Sequence, residues 1–166
     1  GDIYEGDWEN DFPSGYGIFS HGSGTVYEGE FKEGEYHGKG KLTWADGDIY
    51  EGDWEYNSRS GHGIFIFFNG DIYEGEFKEG EYHGKGKLIW ADGDIYEGDW
   101  KNDIRHGKGK LTWASGDVYE GEFKEDKRHG KGKLTRADGD IYEGDWENDV
   151  CGPLKKVPRL IPDPDE

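Results

Sequence analysis

Methionine is absent from this chain, and cysteine occurs once, at Cys151. A single thiol forms no disulfide framework, so nothing points to an oxidising compartment. No signal-peptide pattern and no apolar run long enough to span a membrane occurs. The missing methionine, in a chain that opens inside its own motif at Gly1, suggests a fragment or a processed form from which targeting information can have been cut away. Apolar residues are scarce, at 31%, which is low for a conventional two-layer domain, and no helical stripe of period 3.6 appears anywhere.

Positive charge is short as well: 20 Lys and Arg against 38 Asp and Glu give a net charge of −18. A field of that sign disfavours DNA, RNA and anionic membrane surfaces. Its plain use is solubility, which an exposed sheet needs. Catalytic signatures are missing too. No nucleophile elbow, phosphate loop or Cys/His pairing stands out, and Gly-Lys-Gly-Lys lacks the strand–loop–helix setting of a phosphate loop. The many carboxylates offer no pair in a desolvated pocket, which acid–base catalysis requires. The chain reads as a non-enzyme with no catalytic residue and no cofactor.

What is present is a repeat. Tyr4, Tyr27, Tyr50, Tyr73, Tyr96, Tyr119 and Tyr142 follow one another at intervals of 23 residues without slippage. Periodicity of this length means an array rather than an ordinary globular core. Units begin at residues 1, 24, 47, 70, 93, 116 and 139, the last truncated, and a Pro-rich tail occupies 153–166. In the fourth unit, Tyr73, Gly75 and Phe77 alternate with Ile72, Glu74, Glu76 and Lys78. Gly84, Gly86, Leu88 and Trp90 then alternate with Lys85, Lys87 and Ile89. Period two with rings on one side signals strands, and Glu79-Gly80-Glu81-Tyr82 has turn composition.

An antiparallel hairpin follows. Pairing Tyr73 with Leu88, Gly75 with Gly86 and Phe77 with Gly84 keeps the apolar set on one face. It also sets Glu74 opposite Lys87 and Glu76 opposite Lys85 on the other. Between hairpins, a three-residue loop at Asp92-Gly93-Asp94, with Gly93 at positive φ, lets Trp90 face Tyr96, Leu88 face Gly98 and Gly86 face Trp100. Glycines then sit beside large rings where a side chain would collide. The expected fold is all-β, an elongated, twisted and curved single-layer antiparallel meander of seven hairpins over residues 1–152.

A second period overlies the first. Odd units carry Asp-Trp (Asp53-Trp54, Asp99-Trp100) and even units Glu-Phe (Glu30-Phe31, Glu76-Phe77), so a two-hairpin unit was duplicated or the array was designed. Pro153, Pro158, Pro162 and Pro164 exclude a regular strand or long helix in the tail. That tail either covers the last sheet edge or is a disordered exit linker.

Tyr-x-Gly-x-Trp/Phe, then Gly-x-Gly-x-Leu/Phe and a Gly-Asp restart, resembles the MORN (membrane occupation and recognition nexus) repeat over residues 1 to 152. Departures are Arg136, the lysines missing from units one and three, and the truncated seventh unit. The resemblance implies an extended, curved single-layer sheet. It further implies tethering of proteins to one another, to cytoskeletal or ciliary structures or to membranes, or service as a segment beside a catalytic domain. An intracellular location, cytoplasmic or associated with cytoskeleton or membrane, goes with it.

His37, His83, His106 and His129 recur. The same position in successive hairpins lies about 10 Å apart, whereas zinc ligands converge at about 2.0–2.1 Å from one ion. No metal site is therefore expected. The Asp-Gly-Asp restarts lack calcium-loop spacings and read as turns.

Three surfaces remain. The first is an aromatic face, Tyr50, Trp54, Phe65, Phe67, Tyr73, Trp90, Tyr96, Trp100 and Trp113. It is the fold's own stabilising layer, and also a trough for an apolar or basic peptide or helix of a partner protein. The second is an outer apolar patch, Tyr16, Ile18, Ile64, Ile66, Phe68 and Ile89, which serves either cross-strand packing or contact. The third is a basic edge at Arg105, His106, Lys108, Lys110, Lys127, Arg128, His129, Lys131 and Lys133, the best support for an anionic-lipid tether. Cross-strand glutamates should neutralise much of it. Sheet edges at Gly1 and near Trp146 leave homo-oligomer formation, end to end or about a twofold axis, open. The leading expectation is a non-catalytic interaction scaffold.

Overall fold

Alternation of rings and glycine with charged residues puts the repeating rings, such as Tyr73 and Phe77, on one side of an extended chain. A computed structural model describes residues 1–159. The strands are β1 (Ile3–Glu9), β2 (Phe12–Ser20), β3 (Val26–Lys32), β4 (Glu35–Thr43), β5 (Ile49–Glu55), β6 (Ser58–Ile66), β7 (Ile72–Lys78) and β8 (Glu81–Ile89). They continue as β9 (Ile95–Lys101), β10 (Ile104–Thr112), β11 (Val118–Lys124), β12 (Lys127–Thr135), β13 (Ile141–Glu147), β14 (Val150–Cys151) and β15 (Lys155–Val157). All lie in one elongated, curved antiparallel sheet, in sequence order from β1 to β14, with β15 returning to β13. No helix occurs among the described residues.

The hairpin register agrees with expectation at Tyr73–Leu88, Glu74–Lys87 and Gly75–Gly86 and then departs from it. Phe77 pairs with Tyr82, not Gly84, so His83-Gly84-Lys85 bulges against the single Glu76. Gly84 takes a positive φ of 57° there, and the Lys85 amide donates to the Glu76 carboxylate, so Glu76 does not face the Lys85 side chain. The turn narrows to Glu79-Gly80, both with positive φ (50° and 81°), as a two-residue hairpin loop of this hand requires.

Between hairpins the register is shifted by two. Leu88 pairs with Tyr96, Gly86 with Gly98 and Gly84 with Trp100. The three-residue loop is Ala91-Asp92-Gly93, one residue earlier than expected: Trp90 N–H donates to Asp94 O and Gly93 N–H to Trp90 O, each at 2.9 Å. Gly93 has the expected positive φ, 99°. The shift keeps every side chain on its expected face, because two is the strand period. The second aspartate of the restart staples loop to loop: Asp71 accepts from Ala91 N–H and Asp94 from Ala114 N–H, both at 2.8 Å.

The core is a layer of tyrosines laid over glycines. Tyr27, Tyr50, Tyr73, Tyr96 and Tyr119 have no exposed surface at all. Each hydroxyl donates to the carbonyl three residues on, Tyr73 to Glu76 O at 2.8 Å, so the ring lies along its own strand. A Cβ on Gly86 would come within 2.6 Å of the Tyr73 ring, and one on Gly75 within 2.5 Å of the Gly86 Cα. Neighbouring rings close over each tyrosine. Tyr73 meets Phe77 edge-on at 5.1 Å, the next unit's Trp100 at 5.6 Å, and Tyr82 stacked at 3.7 Å. Fully burying one such ring stabilises by roughly 1.5–3 kcal/mol, against about 0–1 kcal/mol for an exposed ion pair. The rings therefore decide stability.

The tail supplies the missing strand of the seventh unit in two pieces. Cys151 of β14 pairs with Trp146, and Val157, Lys156 and Lys155 of β15 pair with Ile141, Tyr142 and Glu143. It thus covers the β13 edge despite its prolines, as one of the two expectations held, and the β13 edge near Trp146 is not free for self-association. Residues 160–166, including Leu160, Ile161, Pro162 and Pro164, lie outside the described residues.

Two outcomes are expected. Gly86→Ala should destabilise the array by roughly 1–3 kcal/mol through overpacking against Tyr73, read as a lowered urea midpoint. Gly22→Ala, whose nearest neighbours stand 3.6 Å away, should leave that midpoint nearly unchanged. Burial also raises the phenols of Tyr27, Tyr50, Tyr73 and Tyr96 well above their ordinary value and pushes Tyr119 up to about 12. Their contribution is complete below a pH of about 10, where unfolded tyrosines stay neutral. It is lost as pH climbs from there toward the folded-state values. Tyrosinate absorbance and loss of β-sheet dichroism should appear in one alkaline transition; tyrosinate forming while the sheet persists would contradict this.

Candidate functional site

On the ring side, position decides what a partner could reach. Tyr50, Trp54, Phe65, Tyr73, Tyr96 and Trp100 are buried in the fold's own layer. Phe67, Trp90 and Trp113 are half-buried, and Trp44 joins them at the same place in unit two. These four form a row along the interhairpin-loop rim, with His21 and Arg136 at its two ends. Trp44 carried the same signal as Trp90, an identical offset within the repeat.

A second row lies near the two-residue turns and was not anticipated: Tyr36, Arg59, Tyr82, Arg105 and Arg128. Tyr36 stacks on Tyr27 at 3.8 Å as Tyr82 does on Tyr73. The arginines take the same place as cations over rings: Arg59 lies 5.2 Å from Phe65, Arg105 5.2 Å from Phe123 and Arg128 4.3 Å from Trp146. Arg105 and Arg128 are also held by Asp126 and Asp149 at 2.6 and 3.0 Å, with side chains only 18% and 22% exposed. Both point into the ring layer, not toward a surface that a lipid headgroup could meet. Burial alone would raise the Asp149 carboxyl; Arg128 outweighs it and holds it below the usual carboxylate range.

The charged face is ordered by the same register. One row reads Glu51, Ile64, Glu74, Lys87, Glu97, Lys110, Glu120, Lys133, Glu143 and Lys155 on successive strands from β5, β14 apart. A parallel row, two residues along, holds Asp53, His62, Glu76, Lys85, Asp99, Lys108, Glu122, Lys131 and Asp145. Lys108, Lys110, Lys131 and Lys133 of the supposed lipid edge therefore sit between carboxylates, and Lys133 pairs with Glu120 at 3.3 Å. Lys127 is exposed beside the turn. Lys39 binds Asp53, and Lys85 binds Asp99. Burial would raise both carboxyls, but these ammonium groups and the amides of His62 and Lys108 hold them below the usual range.

Between the two rows runs a groove floored by the glycine ladder. Over β6 to β9 it encloses about 880 Å³ and is lined by His62, Glu74, Glu76, Lys85, Lys87 and Glu97. Further stretches continue it from Tyr16 to Pro153. These grooves lie on the charged side, while on the ring side neighbouring rings close over the tyrosines. Of the outer apolar patch, Tyr16, Ile64, Ile66 and Phe68 are exposed (Phe68 77%), and Ile18 and Ile89 are half-buried. Ile66 pairs with Ile49 and Ile72, and Ile72 with Ile89, giving the cross-strand packing. The Tyr16 hydroxyl donates to Glu28, which raises its phenol. Among the described residues no group of His, Cys, Asp or Glu could hold a metal ion, and no helix is long and apolar enough to cross a membrane.

No curated protein matches the chain. Among solved structures it is similar to the SAS-4 (dCPAP) TCP domain of Drosophila melanogaster, in complex with a proline-rich motif of Ana2 (dSTIL). That likeness is 11% identical, with a TM-score of 0.47, over 87% of this chain and 85% of that one. Streptogramin B lyase is 21% identical with a TM-score of 0.21, over 89% of this chain and 46% of that one. Virginiamycin B lyase from Staphylococcus aureus is 13% identical with a TM-score of 0.25, over 99% and 76%. Similarity this slight carries no functional argument. The sequence match is of another kind: MORN repeats cover residues 4–26, 27–49, 50–72, 73–95, 96–118, 119–141 and 142–153, end to end, and the chain belongs to the MORN repeat family.

Proposed function

We propose that the array is a non-catalytic scaffold that binds a protein segment along the loop-side rim of its ring face. Repeat-family membership and the exposed aromatic surface support a protein- or peptide-binding role. The row of Trp44, Phe67, Trp90 and Trp113 carries the finer reading. On a face where Tyr27, Tyr50, Tyr73, Tyr96 and Tyr119 are sealed, these four stay half-open at intervals of 23 residues. Large, rigid side chains that are partly desolvated before binding are the residue types that dominate interface energies. The partner segment is apolar or basic, since acidic residues rim the array and the chain carries a net charge of −18. Such a scaffold would tether its partner within a cytoskeletal or membrane-associated assembly.

Titration of the array into fluorescently labelled candidate partner peptides tests this reading. Trp90→Ser combined with Trp113→Ser should weaken binding by about tenfold or more while the β-sheet dichroism persists. Unchanged affinity in a folded double variant would remove the rim from consideration.

A further inference from the structure

Units one and three depart from the others at the same two places on the charged face. Where units two, four, five and six carry lysines, unit one has Tyr16 and Ile18 and unit three has His62 and Ile64. The register puts Ile64 between Glu51 and Glu74, and His62 between Asp53 and Glu76 on the bulged and regular sides of β6. Two consequences follow. The apolar side chains stand open, with Tyr16 54%, Ile64 37% and Ile66 40% exposed. The charge ladder also loses its balance. Along β1 to β7 the two rows flanking the groove hold eight carboxylates against two lysines, whereas along β8 to β15 they hold six against seven.

Groove dimensions select the shape of what fits. The flanking rows are two residues apart on each strand, or about 7 Å, which admits one extended chain but not an α-helix about 10 Å across. A chain crossing the strands meets a new hairpin every 9.6 Å or so. One turn of polyproline II, three residues at about 3.1 Å each, spans about 9.3 Å. Every third residue of such a chain would therefore meet an equivalent place in successive units. On β3, β5 and β7, in units two to four, those places are bordered by Glu28 and Glu30, then Glu51 and Asp53, then Glu74 and Glu76.

We propose that the charged-face groove over β1 to β7 is a channel for a linear partner segment in polyproline II conformation, with Lys or Arg at every third position and apolar residues between. Charge complementarity supplies the cations, and Ile18, Ile64 and Ile66 meet the apolar residues. The balanced half over β8 to β15 offers the same shape without the charge or the open isoleucines, so it does not compete. The inference goes beyond the rim reading, because it concerns the opposite face of the sheet and a different chemistry.

Calorimetric titration with a blocked peptide of four Lys-Pro-Leu triplets tests it. Saturable binding that weakens as salt rises is expected. His62→Lys with Ile64→Lys, which installs the residues that four other units already carry, should weaken it by about tenfold or more without lowering the melting temperature. Glu51→Gln with Glu74→Gln, a second route that leaves the isoleucines in place, should flatten the salt dependence. Trp90→Ser with Trp113→Ser should leave this binding intact, which separates it from the rim. Absence of saturable binding, undiminished affinity in the double-lysine variant, or equal affinity for a peptide of the same composition with its lysines in one block would each overturn the proposal.

Discussion

A phenol ring lying flat on two facing glycines is the contact on which the rest of this molecule depends. In a sheet without a covering layer, a large side chain can be buried only by sinking toward the backbone or by being roofed by its neighbours. Tyr73 does both: Gly75 and Gly86 let it down to the strands, and Phe77, Tyr82 and Trp100 close over it. The glycines weaken their strands intrinsically, and the buried ring more than offsets that. Since Trp100 belongs to the following unit, burial is a property of two adjacent units together, which is the nearest-neighbour behaviour expected of a linear array.

The doubled period has a packing cause of the same kind. Tryptophan in odd units reaches back with its indole N–H to a glycine carbonyl of the unit before, Trp54 to Gly40 at 2.9 Å and Trp100 to Gly86 at 3.0 Å. In those places the ring beside it is Tyr36 or Tyr82. Phenylalanine in even units has no such donor, and an arginine from the preceding hairpin, Arg59 or Arg105, fills the place over its ring. Unit six breaks the alternation by carrying Arg128 ahead of Trp146. There the indole N–H of Trp146 is buried without a hydrogen-bond partner. The alternation is thus a matched choice of roof and neighbour.

Much of this was legible in the residues. Period-two alternation identified the strands, and the 23-residue repeat identified the array. The Gly75–Gly86 and Tyr73–Leu88 pairs followed from keeping rings on one face. The bulge at His83-Gly84-Lys85 was not legible, since a glycine there reads equally as a strand residue beside a ring, and only its positive φ distinguishes the two. Missing the bulge hid Tyr82 and, with it, the inward arginines, which looked from sequence like part of a basic edge. The interhairpin register slipped by two because either choice preserves the faces; Asp71 and Asp94, stapling loop to loop, settle it. The side on which the groove opens was also out of reach, because curvature follows from how rings and glycines pack, not from their order. Tyr16, Ile18, Ile64 and Ile66 stood out from sequence alone, by departing from an otherwise repeated lysine pattern.

Native-state hydrogen exchange on Trp100→Ala addresses the shared burial most directly. If each ring is roofed by the following unit, removing Trp100 should strip protection from the amides of β7 and β8, which hold Tyr73 and Tyr82, together with those of β9. Loss of protection confined to β9 and β10 would mean that units are buried independently, and would contradict the account.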